Sequence, residues 1–179
     1  GIVGVGVYMG SYVSDAMSDD PAVIAERTAK FVEMEIPSQF APVMSFDMTI
    51  PLSGESFMVW VVYVDEASES TLMMASLGSM MAQQSEEEVR RTLEQSMRDQ
   101  GITASEGVDE WEGSVKEIEI RGQPVEFDFS VGTNSDTQAR RLEVSGMFEG
   151  KSGPVMLVLS ADAEVIDEEA AVKMLESIK

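Results

Sequence analysis

The chain has 179 residues and carries 33 acidic against 12 basic side chains, which gives a formal net charge of −21. It contains neither histidine nor cysteine. This composition excludes Ser-His-Asp and Cys-His catalysis, disulfide bonds, and the usual imidazole or thiolate ligation of zinc, haem and iron–sulfur clusters. The acidic excess is spread over both halves of the chain, so a nucleic-acid backbone or an anionic membrane surface would be repelled.

Residues 2–13 carry no charge and are mostly apolar, with glycines at positions 4, 6 and 10. The glycine spacing is only a weak match to a dinucleotide-binding loop, because no strand precedes it and no suitably placed acidic residue follows it. Two other interpretations stay open for residues 1–14: the trailing part of a membrane anchor, or an apolar arm or first strand that packs on the domain. The remainder, residues 15–179, is predicted to form a single domain.

Three segments carry the signals of helix starts. Asp20 can cap a helix, and Pro21 suits its first position. Ser85 and Glu88 have the spacing of a capping box, in which each side chain accepts from the other residue's backbone N–H. Asp167 can cap a last helix. Apolar residues at helical spacing then predict helices over 21–34, over 86–99 and after Asp167.

Strands are indicated by alternating or continuous apolar residues between turn signals. Residues 71–84 are ambiguous between a strand that ends near 77, which we favour, and a methionine-rich helix over 72–84. Residues 101–114 are the least regular part of the chain. The other predicted strands are 44–50, 57–64, 115–120, 125–131, 142–148 and 154–161.

Because strands in hairpins are separated by helices, the order of elements predicts an α+β domain. We expect a curved, mainly antiparallel sheet of six to seven strands with three helices.

Asp109, Glu110 and Glu112 surround Trp111 in the irregular segment and are weak candidates for metal ligands. Calcium takes six to eight oxygen ligands from such loops, but the spacing here is not that of a calcium-binding loop. A solvated acidic loop is the other interpretation. The same two alternatives apply to the acidic residues of 65–69.

The alternation of the second half predicts that Glu117, Glu119, Glu126 and Asp128 point away from the core. In a 118–129 hairpin, like charges would then face each other across the strands and destabilise the pair slightly. A cation or a basic partner could offset this repulsion. The 14 methionines are interpreted as core filler, whereas an exposed methionine-rich patch would indicate a protein-binding surface.

The first part of the chain resembles a pattern in small bacterial membrane-anchored proteins of unknown function. The pattern consists of Asp20-Pro21, the helix that follows, Glu35-Ile36-Pro37, and Phe40 before an alternating strand. The likeness covers about residues 2–50. The order of elements also resembles the PsbP-like α/β/α sandwich, which is a topological likeness only. Neither resemblance implies catalytic residues for this chain.

The sequence therefore predicts no catalytic residue and no cofactor, and it favours a protein that is not an enzyme. The leading hypothesis is a non-enzymatic interaction or accessory domain with a protein partner, tethered outside the cytoplasm in a bacterial envelope. The membrane would be reached through an upstream anchor rather than through the domain surface. The alternative is a small-ligand or divalent-cation binding module that uses the acidic loops.

Overall fold

A computed structural model describes residues 16–50, 53–78, 84–99 and 108–179. Within these residues the chain forms one sheet of eight strands in the order β1-β2-β3-β4-β8-β7-β6-β5, and all neighbours are antiparallel. Two meanders, β1–β4 and β5–β8, meet where β4 pairs with β8. The elements are β1 (Met17–Ser18), α1 (Pro21–Phe31), β2 (Ala41–Thr49), β3 (Ser56–Asp65), β4 (Ser70–Ser76), α2 (Glu86–Asp99), β5 (Val108–Ile120), β6 (Gln123–Asn134), β7 (Arg140–Gly150), β8 (Gly153–Asp162) and α3 (Glu168–Glu176).

The predicted fold class, an α+β domain with six to seven strands, is wrong. The described chain is mostly sheet, with eight strands and three short helices. The additional strand is β1, whose two residues pair with Phe46 and Ser45 of β2. A pair of residues is too short to show an alternating pattern, so periodicity could not reveal it.

Within the predicted irregular segment 101–114, residues 108–114 are more regular than predicted, because β5 begins at Val108. Residues 101–107 lie outside the described residues. The favoured strand within 71–84 is confirmed as β4, and the helix over 86–99 is confirmed. The first helix ends at Phe31, three residues before its predicted end. The proposed anchor or arm, residues 1–14, lies outside the described residues.

The helix starts follow the predicted capping chemistry. Asp20 accepts a hydrogen bond from the backbone N–H of Ala22 at 2.8 Å, and Asp167 accepts one from that of Ala170 at 2.8 Å. In the Ser85–Glu88 capping box, Ser85 Oγ accepts from the backbone N–H of Glu88 at 3.3 Å, and the Glu88 carboxylate accepts from the backbone N–H of Ser85 at 3.1 Å. These bonds satisfy N–H groups that have no partner within the helix.

The main core lies on one face of the sheet, called here the inner face. Two helices cover it: α1 contributes Ile24 and Phe31, and α3 contributes Ala171, Met174 and Leu175. The strand residues beneath them alternate along the sheet and are almost entirely buried; they include Val61, Leu72, Phe127, Val144 and Leu157. Burial of this large apolar surface is the main stabilising contribution to the fold.

Tyr63 connects this core to α1, because its hydroxyl shares a 2.8 Å hydrogen bond with Thr28. Burial raises the pKa of Tyr63 above its ordinary value of 10.0, since the phenolate would lose its hydration. The stabilising contribution of Tyr63 is therefore fully present below pH 10 and is lost as the pH rises through the folded-state pKa. We expect denaturant unfolding to show a free energy that falls in this alkaline range, and Tyr63→Phe to make the fall shallower. An equally steep fall in the variant would contradict this explanation.

Candidate functional site

The opposite side of the sheet, called here the open face, is covered differently from the inner face. Val89 of α2 is buried in a cluster with Val62, Met73, Ala75 and Met156 on this face. Around this cluster the open face contains three distinct regions: an apolar patch on β2 and β3, an acidic cleft toward β5, and a polar network near Arg141.

The apolar patch consists of Met44, Phe46, Met48, Met58 and Trp60, all of which are half-buried. The register brings Phe46 opposite Trp60 and Met48 opposite Met58, and the two rings stack with centroids 5.8 Å apart. The interpretation of methionine as core filler therefore holds for Met73, Met74 and Met156, which are buried. It also holds for Met58, which is half-buried and packs against the cluster around Val89. Met44 and Met48 of β2 are half-buried on the open face.

The acidic cleft has a volume of about 800 Å³ and lies between α2 and the strands β5 to β8. Carboxylates line it from three strands: Glu117 of β5, Glu126 and Asp128 of β6, and Glu149 of β7. Its apolar lining is Val115, Pro124, Val125, Met147, Phe148, Pro154 and Met156. A ligand in this cleft would thus meet negative charge and apolar surface together.

The charges of this cleft are poorly balanced. Glu117 stands directly opposite Glu126 in the β5–β6 register, which confirms the predicted facing of like charges. Directly opposed like charges destabilise a strand pair. Arg90 of α2 is the one basic residue that lines the cleft among the described residues, and its Nη1 lies 3.5 Å from Asp128 Oδ2. Both side chains of this pair are exposed, so the pair contributes little to stability.

The candidate metal ligands are not gathered around a loop. Glu110 and Glu112 lie on the exposed strand β5, opposite Thr133 and Val131, and the side chain of Asp109 is outside the described part. No group of three or more acidic residues that could hold a metal ion occurs among the described residues. A cation site at 109–112 stays a prediction, which thermal unfolding in millimolar Ca²⁺ or Mn²⁺ would test.

In the acidic turn 65–69, the first carboxylate forms hydrogen bonds within the turn. Asp65 is buried and accepts hydrogen bonds from the backbone N–H of Ala67 at 3.1 Å and from Ser68 Oγ at 2.6 Å. Ser68 Oγ in turn shares a 2.7 Å bond with Ser70 Oγ. These bonds give Asp65 a structural role in the turn.

Arg141 of β7 joins this turn to the sheet. Its guanidinium donates to the carbonyl oxygens of Ser68 and Glu69, at 3.3 and 2.9 Å, and to Ser160 Oγ at 3.2 Å. Burial lowers the pKa of Arg141, and the nearby carboxylates of Asp162, Glu69 and Glu143 act in the opposite direction. These hydrogen bonds hold the 65–69 turn against β7 and β8, and they give Arg141 a structural role.

The sequence predicted the acidic face of the 118–129 hairpin but not the remainder of the cleft. Glu149 and Met147 reach it from β7, and Met156 from β8. Strand alternation does show that Met147 and Glu149 share a face. The sequence could not show on which face of the β5–β6 hairpin these two side chains would lie, because that depends on non-local strand pairing.

No protein-family model and no curated protein sequence matches this chain. The geometry of the open face is therefore the basis for a functional proposal.

Proposed function

We propose that this chain is a non-enzymatic interaction domain that binds a basic, partly apolar segment of a protein partner in the acidic cleft. The observation that carries the proposal is the composition of the cleft, which four carboxylates line together with the half-buried Met147 and the exposed Val115. Lysine and arginine match such a lining because their charged ends can meet carboxylates while their apolar stems cover Met147 and Val115.

The unbalanced charges of the cleft favour the same class of partner. A cation placed between Glu117 and Glu126 would remove the repulsion that their direct opposition creates. An incoming basic side chain could also pair with Asp128 in place of the exposed Arg90. An acidic partner would add to the repulsion, and the net charge of −21 would slow its approach.

Methionine surfaces adapt to partners of different shape, because the side chain is flexible and polarisable. The patch of Met44, Met48 and Met58 with Phe46 and Trp60 extends this character over the same face of the sheet. We infer that apolar parts of the partner contact this half-buried patch.

We further propose that the domain works outside the cytoplasm of a bacterial cell, tethered to the membrane by an anchor whose trailing part is the apolar segment 2–13. The support is the uncharged and mostly apolar composition of that segment, which includes Tyr8 and Tyr12, residues that suit a membrane interface. Among the described residues, no helix is both long and apolar enough to cross a membrane. Protease added to intact spheroplasts should digest a tethered external domain, whereas full protection until lysis would contradict this location.

The double variant Glu117→Gln/Glu126→Gln tests the binding site. We expect it to raise the free energy of unfolding by a few tenths of a kcal/mol, because the opposed charges are removed. It should also weaken binding of a basic peptide by roughly twofold to thirtyfold, since each exposed charge pair contributes about 0.2–1 kcal/mol. The probe is a blocked peptide of alternating lysine and valine, titrated by calorimetry at low and at high salt.

Glu164→Gln/Glu176→Gln is the matched control, because it changes the net charge equally at exposed positions that do not line the cleft. This control should bind the peptide nearly as well as the natural chain does. A peptide of alternating glutamate and valine should not bind. If both double variants bind the peptide equally weakly, net charge explains the effect, and the cleft is refuted as the binding site.

A further inference from the structure

Strand β5 forms one edge of the sheet, and among the described strands it pairs only with β6. It is 13 residues long, and six consecutive residues, 110–115, are exposed. The exposed side chains include Val115 at 61% and Trp111 at 38% of their full accessibility. Proteins usually shorten, cover or distort such an edge, because its unpaired backbone groups can bind another strand.

The hairpin geometry identifies which backbone groups are unpaired. Arg121 and Gly122, with φ angles of 53° and 76°, form a two-residue turn between Ile120 and Gln123. Residues that flank such a turn exchange both backbone hydrogen bonds, and bonded pairs then alternate with non-bonded pairs along the ladder. Even-numbered residues of β5 therefore bond to β6. The N–H and C=O groups of residues 111, 113, 115, 117 and 119 point away from the sheet.

Four of these five residues, Trp111, Val115, Glu117 and Glu119, direct their side chains to the open face, and Gly113 has no side chain. Val115 and Glu117 line the cleft directly. On the other face of β5, the Lys116 ammonium pairs with Glu168 at 2.5 Å and lies 5.1 Å from the centre of the Phe129 ring. The one basic side chain of β5 is thus already engaged, and the side chains that flank the exposed edge are mainly acidic and apolar.

We propose that β5 receives an extended basic segment of the partner as an antiparallel ninth strand. Backbone hydrogen bonds to Trp111, Gly113, Val115 and Glu117 would hold the segment, and its open-face side chains would lie beside the cleft. Basic residues belong opposite Glu117 and Glu119, where they meet exposed acidic side chains. This inference rests on the proposed function for the chemistry of the partner, and it adds the backbone mode by which the partner binds.

A second copy of this chain fits the same edge poorly. Pairing of β5 with another β5 would bring together two strands that each carry Glu110, Glu112, Glu117 and Glu119. Like charges across a strand pair are destabilising. We therefore expect that the isolated chain does not dimerise by pairing of β5 with β5. A dimer that is detected by sedimentation and that dissociates in Val115→Pro would overturn the proposal.

Backbone methylation of the lysine–valine peptide tests strand addition, because an N-methyl group removes one hydrogen-bond donor and leaves every side-chain charge. In an antiparallel ninth strand, the lysines that face Glu117 and Glu119 direct their amides toward β5. N-methylation of the lysine amides should therefore weaken binding at least tenfold, whereas N-methylation of the valine amides should leave it nearly unchanged. Equal binding of both methylated peptides would refute the ninth strand and leave cleft binding intact. Failure of the unmethylated peptide to bind would refute both proposals.

A variant pair in the protein provides the complementary measurement. Val115→Pro removes an N–H that points away from the sheet, a position at which edge strands tolerate proline. Val115→Ala shortens the same side chain and keeps the N–H. We expect the proline variant to bind the peptide at least tenfold more weakly than the alanine variant, with both folded by circular dichroism. If the two bind equally, the backbone of β5 does not take part. If the proline variant unfolds, the two methylated peptides on the natural chain decide the outcome.

Discussion

Gly146→Ala is expected to lower the free energy of unfolding by about 1–3 kcal/mol, the usual effect of forcing an extra carbon into a packed core. Gly146 lies opposite Phe127 in the β6–β7 register, and the phenyl ring occupies the space above the glycine. A Cβ at position 146 would lie 2.7 Å from Cε1 and 2.9 Å from Cγ of that ring. Phe127 is fully buried and packs against Phe148, with ring centroids 6.4 Å apart. Its ring therefore cannot move aside without disturbing the core.

Gly113→Ala is the matched control for this prediction, because it adds the same methyl group to another strand of the same sheet, β5. A Cβ there would meet Ser130 Oγ at 3.4 Å, an ordinary contact. The control should be neutral or slightly stabilising, since alanine reduces the entropy of the unfolded chain. Thermal unfolding measures both, at about 2–4 °C per kcal/mol for a chain of this size. Equal melting temperatures for the two variants would show that the Phe127–Gly146 contact is not tight.

Arg141→Met is expected to lower the free energy of unfolding by roughly 1–3 kcal/mol, because partly buried hydrogen-bond partners would lose their donor. The carbonyls of Ser68 and Glu69 would be left without the guanidinium that holds them. Glu69 has a φ angle of 51°, a backbone conformation that is unfavourable for a residue other than glycine. We expect amide hydrogen exchange at 67–70 to accelerate more than exchange in the distant helix α1.

The neighbouring variant Arg140→Met removes the same charge from an exposed side chain. Its effect should stay within about 0.5 kcal/mol, as for most surface substitutions. A loss of stability in Arg140→Met as large as in Arg141→Met would attribute the effect to net charge instead of to the hydrogen bonds.

Elements with strong local signals could be predicted from the sequence. The apolar run over 57–64 became β3, and the Ser85–Glu88 capping box began α2 as expected. The start of β5 could not be predicted, because its residues 110–115 are exposed and so show no burial pattern. Periodicity reports burial on one face, and an exposed edge strand provides little of it.

For the candidate site as well, local features could be predicted from the sequence, and features that depend on non-local strand pairing could not. Alternation placed Glu117 and Glu126 on one polar face, since both lie in a single hairpin. It could not place Glu149 and Met156 beside them, because that arrangement depends on how β6, β7 and β8 pair. The interpretation of Asp109, Glu110 and Glu112 as part of an irregular loop failed for the related reason that β5 extends through them.

The most direct test of the central claim is a titration of the isotope-labelled chain with the lysine–valine peptide, followed by amide and methyl chemical shifts. Binding in the acidic cleft predicts shifts concentrated at Val115, Glu117, Glu126, Asp128 and Met147, weakened by salt and by Glu117→Gln/Glu126→Gln. Shifts confined to the helices α1 and α3, or no saturable shift at low salt, would contradict the assignment of this face as the binding surface.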